Sequence, residues 1–355
     1  MKNIKNIIIS LLILIIALNV SIALIISKCQ FEFRYNEKKV KIADYIPVSP
    51  IVINNNADWN TLALTETWCH GSGTGNDPYI IEGISIDGLD SSTCISISNS
   101  DVFFIIRNCL FTSSGRTTDG CGIGLYYVDN GILSNNDCSN DNAHGIEIRN
   151  SNNISILDNQ AHNNEWTGIN LVASSNITVS NNVMNNNDHM GIYVTTSHGN
   201  LISDNTAKSN YVIGIRFYRS NNNTIFKNEA STSGTGIYLY DSHYNNLSEN
   251  IAGSCIPYGI DLMDSNNNTI SKNYMHHNRY GLTIYQSNYN IITGNTFKCN
   301  NENIYEENSV GNIIENNIYK SCPPSAILGY NIWVIISIIG IISIIIAKKL
   351  KNKSL

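Results

Sequence analysis

Residues 191–213, GIYVTTSHGNLISDNTAKSNYVI, are followed by 214–235, GIRFYRSNNNTIFKNEASTSGT, and by 236–258, GIYLYDSHYNNLSENIAGSCIPY. Each block opens on Gly-Ile, sets a Ser at its seventh position and closes a second apolar stretch on an Asn. The phrase returns every 22 or 23 residues. Its Gly column runs from Gly122 to Gly281, its Asn column from Asn136 to Asn317 and its Ser column from Ser151 to Ser309. Three columns in one register mean a single supersecondary unit stacked on itself.

The unit is built of strands. After each Gly, apolar residues alternate with polar ones, as in Ile192 and Val194, Ile215 and Phe217, Ile237 and Leu239. A period of two puts those residues on one face of a strand. A second aliphatic lies three residues before each column Asn: Ile156, Val179, Ile202, Ile225, Leu247. Short β-branched runs bounded by Asn, Ser and Gly are strand and turn chemistry, and no unit holds a helix-length 3.6-periodic pattern. Leucine-rich repeats share the length, but their phrase is dominated by Leu, whereas Ile dominates here. The chain therefore reads as all-β, a right-handed parallel β-helix of 22–23-residue coils, each advancing roughly 4.8 Å. The columns have structural explanations: the Asn at each sharp corner is expected to adopt left-handed backbone angles while its amide bonds the next Asn in the stack, the inner aliphatics share a core, and Gly is expected to ease the bend before each strand.

The two ends read as membrane helices flanking this solenoid. Ile7 to Ile26 is an apolar run behind Lys2 and Lys5, and Ile327 to Ala347 is followed by Lys348, Lys349, Lys351 and Lys353. Each is long enough to span a bilayer, and the second has the stop-transfer pattern that leaves a basic tail inside. The expected organisation is 1–27 signal anchor or signal peptide, 28–67 stalk and N-terminal cap, 68–322 β-helix, 327–347 transmembrane helix and 348–355 cytoplasmic tail. Lys28, Arg34, Lys38, Lys39 and Lys41 oppose this orientation by the positive-inside bias, but a long domain translocates largely regardless of its charge.

The net charge of −6 hides a split. Removing the six terminal lysines from the 22 basic residues leaves 16 against 28 acidic ones, a net of −12 for the remainder. That argues against nucleic acid and polyanionic glycans as principal partners, and leaves the membrane and a cell-surface polysaccharide as the expected ones. Nine cysteines suit an extracytoplasmic domain. Cys138 falls at an inward position shared with Ala161 and Met184. Cys299 and Cys322 sit at neighbouring corners of successive coils, where they could pair, while Cys69, Cys94, Cys109 and Cys121 crowd the first coils in no deducible pairing.

The entry segment reads Pro50-Ile51-Val52-Ile53, Trp68, Gly71-Ser72-Gly73-Thr74, then Asp77-Pro78-Tyr79-Ile80-Ile81-Glu82-Gly83. With units such as Ser265 to Asn273 leading to Tyr280-Gly281-Leu282, this resembles the NosD-like right-handed β-helix family over roughly residues 50 to 320. That family is named for a periplasmic protein linked to copper delivery to nitrous oxide reductase, and the wider group includes carbohydrate-binding and sugar-hydrolysing β-helices. Copper is therefore implied by the resemblance alone. Copper takes clustered imidazole or thiolate ligands. Here the histidines are scattered: His198 and His243 share a column two coils apart, and His276 and His277 adjoin on one corner beside an inward Met275. No metal site and no cofactor is read from the residues.

The outward positions after each Gly are richer. One column runs Glu147, Asn170, Tyr193, Arg216, Tyr238, Asp261, Thr283; the next runs Arg149, Val172, Thr195, Tyr218, Tyr240, Met263, Tyr285. Sugars stack on aromatic faces and bond through their hydroxyls. The expected carbohydrate-binding residues are Tyr193, Arg216, Tyr218, Arg219, Tyr238, Tyr240 and Tyr285. Asp241, Asp261 and Asp264 are the catalytic candidates, since Asp241 and Asp264, stacked on successive coils about 5 Å apart, match the separation of a retaining glycosidase pair. The plainer reading makes them turn caps on a solvated face. No Asp-Pro-His-Asp run of β-helix epimerases and no paired-Asp or Gly-His-Gly motif of polygalacturonases occurs. Sequons at Asn153, Asn176, Asn222, Asn246 and Asn267 follow from the repeat's own need for Asn in turns. The functional expectation is a membrane-anchored extracytoplasmic binding or surface-structural module. A polysaccharide hydrolase, lyase or epimerase, and an accessory in copper-site maturation, are the alternatives.

Overall fold

The structure, a computed structural model, describes residues 45–116 and 120–322. The two apolar terminal runs, the basic tail and Cys29 lie outside the described residues, and no helix among the described residues is long and apolar enough to cross a membrane.

The chain winds as a right-handed parallel β-solenoid. An 11-stranded sheet runs from Ile51–Ile53 to Glu302–Glu307, and a 12-stranded sheet from Cys69–His70 to Ile313–Glu315. The alternating strand after the column Gly builds the first, as when Ile192, Tyr193 and Val194 pair in parallel with Ile215, Arg216 and Phe217. The aliphatic three residues before the column Asn builds the second, as when Ile202 pairs with Ile225. Ile192, Ile215, Ile202 and Ile225 are all fully buried, so the two sheets share one apolar stack.

A third face was not anticipated from the sequence. Four strands at each end of the solenoid form it, and single parallel bridges from Asp137 through Gln160, Val183, Thr206 and Glu229 to Ile251 connect them. It sends one small or flexible residue per coil inward: Cys138, Ala161, Met184, Ala207, Ala230, Ala252, Met275 and Phe297. These residues explain the column Gly. None of Gly145 to Gly281 in that column has positive φ. Instead a Cβ on Gly191 would meet the Gly214 carbonyl oxygen at 2.7 Å and the Ala207 Cβ at 2.7 Å. The column needs close approach between coils, not freedom to bend.

The corners also differ from expectation. The column Asn is not left-handed; the residue before it is, as at Asp158, Asp204, Lys227, Glu249 and Lys272. The Asn itself is buried and stitches coil to coil. Asn182 donates from its backbone N–H and its Nδ2 to Asn205 Oδ1 at 2.9 and 3.1 Å, and also to Ile156 O. The Ser column does the same with one group: Ser197 N–H donates to Ser220 Oγ at 3.1 Å. Buried polar backbone at the bends is thereby satisfied.

The N-terminal end is plugged. Pairing begins at Ile46–Pro47 with Ile84–Asp87 and at Ile51–Ile53 with Ile95–Ser100. The helix Asn56–Thr65 then starts at Asn55, whose Oδ1 accepts from the Ala57 and Asp58 N–H groups. It delivers Trp59, fully buried, onto Tyr79 at 5.4 Å and Phe104 at 5.1 Å, with Nε1–H donating to Ser100 Oγ. At the other end Cys299 and Cys322 are joined as a disulfide, the pairing their corner positions allowed. Cys69, Cys94 and Cys109 are buried thiols within the first coils rather than a disulfide brace.

Candidate functional site

The outward face of the 11-stranded sheet gathers the charged and aromatic residues that alternation turns away from the core. Six of the seven residues expected to bind carbohydrate form one group at its middle. Arg216 is the centre: its guanidinium lies 5.2 Å from the Tyr193 ring, 5.7 Å from Tyr218 and 5.6 Å from Tyr238. Tyr218 and Tyr240 stack face to face, 5.5 Å apart and 3° from parallel, and Tyr238 packs on Tyr240 at 6.3 Å. Arg219 closes the group over Tyr218 at 5.0 Å. The Nε of Arg216 is buried with no hydrogen-bond partner among the described residues. Tyr285 stands apart in the same column, beyond Met263, whose Sδ accepts from the Tyr238 hydroxyl at 3.3 Å.

The three aspartates do not join into one acid–base pair. Asp241 sits at a left-handed corner, held by Arg219 Nε at 3.3 Å and His243 Nε2 at 3.2 Å. Asp264 takes the same corner one coil on. Asp261 lies in the strand itself, accepting from the Thr283 hydroxyl, and burial pushes its carboxyl up to about 6. Burial first, and then the Asp261 carboxylate, push the Tyr238 phenol up to about 12. Of the three aspartates, Asp261 acts most strongly on the Tyr238 phenol.

A second group, which the sequence did not single out, lies nearer the N-terminal end of the same face. Glu147 is fully buried although its position points outward. Its carboxylate accepts from Arg149 Nη2 at 2.9 Å, Asn170 Nδ2 at 2.8 Å and the Tyr126 hydroxyl at 3.2 Å, with His144 Nε2 at 3.9 Å. Burial raises the Glu147 carboxyl, against the pull of the Arg149 guanidinium. Burial, and then Arg149, lower the His144 imidazole to about 4, so it is neutral at physiological pH. The His144 ring rests edge-on against Trp166 at 5.5 Å. Tyr126 and Arg149 line an open cavity of about 410 Å³ with Thr93, Ser96, Tyr127 and Asn150. The available signal was Gly124. It pairs with Glu147 where the later coils carry a side chain, and a Cβ there would strike the Tyr126 ring at 2.8 Å. The missing side chain lets Tyr126 fold toward the carboxylate.

The histidine column is structural. His198 Nδ1 accepts from the Asn221 N–H and His243 Nδ1 from the Asn266 N–H, both at 3.0 Å, so these imidazoles serve as rungs between coils. One trio of metal-donor side chains converges among the described residues, His277, Cys299 and Cys322, with ligand atoms within 4.8 Å of one another. Its two sulfurs are bonded to each other here.

The profile of the family described as "Periplasmic copper-binding protein (NosD)" matches residues 53–187, 84–278 and 209–325. No curated protein matches the chain in sequence. Among solved structures it is similar to the A-module of the Azotobacter vinelandii mannuronan C-5 epimerase AlgE6, with 14% identity, 80% of each chain covered and a TM-score of 0.60. It is similar to the periplasmic alginate epimerase AlgG, with 15% identity, 79% of this chain and 85% of that chain covered and a TM-score of 0.53. It is also similar to PfbA, a surface adhesin of Streptococcus pneumoniae, with 11% identity, 69% and 81% covered and a TM-score of 0.51. At these identities the likeness is one of fold.

Proposed function

From the premise that the chain belongs to the family of the periplasmic copper-binding protein NosD, we propose that it is an extracytoplasmic β-helix that binds polysaccharide along the outward face of its 11-stranded sheet. The observation that carries this reading is Arg216. A guanidinium flanked by three tyrosine rings is a planar fork of N–H donors set in an aromatic wall. Sugar oxygens supply acceptors, and sugar C–H faces pack on the exposed edges of Tyr193, Tyr218 and Tyr240. Because coils repeat along the solenoid axis, a linear glycan laid along it meets this wall coil after coil. We extend the reading to tethering by residues 7–26 and 327–347, on the sequence argument above. The net charge of −12 between those segments goes with a neutral polysaccharide as partner and not with nucleic acid.

A second reading, polysaccharide processing, is favoured by the Glu147 group instead of the three aspartates. A buried carboxyl raised by its surroundings, bonded to a guanidinium and a phenol that line one cavity and lying near a neutral imidazole, gives groups that proton transfer on a sugar could use. Screening the purified full chain against neutral and uronate oligosaccharides separates the two. Binding that disappears in Tyr218→Ala/Tyr240→Ala, with no turnover, supports the first. Turnover that disappears in Glu147→Gln supports the second. A chain that neither binds nor converts any oligosaccharide overturns both.

A further inference from the structure

The outward column of the 11-stranded sheet sets Tyr193, Arg216, Tyr238, Asp261 and Thr283 on successive coils, each in parallel register with the next. Strand spacing holds Arg216 and Asp261 two coils apart, roughly 9.6 Å, with Tyr238 between them. They do not pair. Other carboxylates on the solenoid have a cation: Glu147 has Arg149, Glu229 has Lys208 and Asp241 has Arg219. No basic side chain among the described residues pairs with Asp261. Its Oδ1 accepts from the buried Thr283 hydroxyl, and Oδ2 is left for a ligand.

The tyrosines of this face take cations wherever a side chain supplies one. Tyr238 has the Arg216 guanidinium at 5.6 Å, Tyr218 has Arg219 at 5.0 Å and Tyr280 has Arg279 at 5.2 Å. The negative face of each ring attracts such a charge. Tyr258 opens the strand that carries Asp261 and packs on Tyr280 at 5.7 Å, so it flanks the column on the side opposite Met263. Burial first, and then the Asp261 carboxylate, raise the phenols of both Tyr238 and Tyr258. The charge of Asp261 therefore reaches one ring on its own coil and one on the coil before. What this part of the face lacks is a cation.

We propose that Asp261, Tyr238 and Tyr258 form a subsite for the protonated amine of an amino sugar, so that the polysaccharide on this face carries free amino groups on part of its sugars. The proposal rests on the polysaccharide reading above and narrows its partner. A neutral hydroxyl offers Asp261 Oδ2 an ordinary hydrogen bond. An ammonium group offers a charge-assisted one, which is stronger, and gains the attraction of the rings as well. N-acetylation removes the charge and with it both gains. The net charge of −12 between the terminal segments draws a cationic chain toward the solenoid, whereas Asp261 decides where an amine settles. Arg216, two coils away, meets the oxygens of neighbouring sugars on the same chain.

The test titrates the full chain calorimetrically with three β-1,4-linked hexamers, of glucosamine, of N-acetylglucosamine and of glucose. It is run at about pH 6.5, above the value of about 6 to which burial raises Asp261, so that the carboxylate is largely ionised. The glucosamine hexamer should bind at least about tenfold more tightly than the other two, and this comparison needs no variant. Asp261→Asn should bring the three hexamers to within about twofold of one another, with binding of the glucose hexamer unchanged. Asp264→Asn deletes an equal charge at the nearby left-handed corner and should leave the preference intact. Equal affinity of the parent for all three hexamers overturns the amine subsite and leaves the polysaccharide reading standing. A preference that survives Asp261→Asn, or that falls equally in Asp264→Asn, also overturns it, since the amine is then held by the general negative charge. Binding of no hexamer at all removes the polysaccharide reading and the subsite with it.

Discussion

Asn205 donates twice to Asn228 one coil further on, from its backbone N–H at 3.0 Å and from its Nδ2 at 2.9 Å, both to the same Oδ1. Its Nδ2 also reaches back to Val179 O at 2.8 Å. Each column Asn thus ties three coils together through one buried amide, and two donors per rung depend on a single oxygen. Asn228 repeats the pattern toward Asn250 and Ile202.

Replacing Asn228 by Leu removes the acceptor for both Asn205 donors and leaves Asn250 Oδ1 and Ile202 O without their donor from Nδ2. Unsatisfied buried groups cost about 1–3 kcal/mol each. Chemical denaturation should show a loss at or above that range. A variant as stable as the parent would mean that the ladder contributes nothing.

The ladders were legible because a solenoid writes each structural need once per coil, so Asn159, Asn182 and Asn205 stand in one register in the sequence. The left-handed corners were not, since Asp204, Lys227 and Glu249 all accept that backbone angle and share no side-chain chemistry. The third face was hidden for the opposite reason: one inward residue per coil, such as Ala207 or Ala230, gives no alternation to read. The tyrosine–arginine group was legible from its columns. The Glu147 group was not, because it arises from changes confined to neighbouring early coils, Gly124 and Tyr126 beside Glu147, Arg149 and His144, where repetition gives no guidance.

Gly191→Ala should destabilise the coil stack by overpacking, on the order of 1–3 kcal/mol. The new Cβ meets the Gly214 carbonyl at 2.7 Å, and that carbonyl cannot retreat without disturbing the next coil. Gly199→Asn is the contrast. Its φ is +66°, nothing lies closer than 3.9 Å, and Asn176 and Asn222 already hold the same corner. Thermal unfolding should fall for the first and stay within about 0.5 kcal/mol of the parent for the second. Equal effects would return the column Gly to a role in bending.

Asp141→Asn should stabilise the protein at alkaline pH. Asp141 takes a buried Asn position, its N–H donating to Asn164 Oδ1, and its Oδ2 has no hydrogen-bond partner among the described residues. Burial raises its carboxyl from 3.8 to about 8. A carboxyl raised by folding favours the folded state at low pH, and that contribution is lost as pH climbs from 3.8 through about 8. His144 acts with the opposite slope, its folded value of about 4 against 6.5 costing stability as pH falls through that window. Between 6.5 and about 8 Asp141 gives the main slope, because the buried thiols, raised by burial from 9.0, add theirs only as pH approaches that value. Melting temperatures at about pH 6.5 and about pH 8 should lie closer together in the variant than in the parent, and the variant should gain at least about 1 kcal/mol at the higher pH. Parallel slopes in parent and variant would remove Asp141 as the cause.

If the chain is tethered as proposed, protease added to intact cells should digest the β-helix and spare a tag placed after Leu355. A protected β-helix with an exposed tag would reverse the orientation, and degradation of neither would place the solenoid inside.

Tyr218→Ala with Tyr240→Ala should weaken polysaccharide binding by about tenfold or more, equivalent to about 1.4 kcal/mol. Stacking of a nucleic-acid base on an aromatic ring is worth about 1–3 kcal/mol, and a sugar face, lacking a π-system, should give less per ring. Losing the stacked pair also forfeits about 0.5–1.5 kcal/mol of their mutual contact, so a modest drop in stability is expected with no change of fold. Arg216 separates stacking from hydrogen bonding. Arg216→Lys keeps the positive charge among Tyr193, Tyr218 and Tyr238 but loses the planar fork that could present N–H donors to sugar oxygens. Calorimetric titration should therefore find Arg216→Lys weakened nearly as much as Arg216→Ala, with circular dichroism unchanged in both. Full binding in the lysine variant would reduce Arg216 to a charge, and full binding in all three would move the glycan off this face, toward the cavity beside Tyr126 and Arg149.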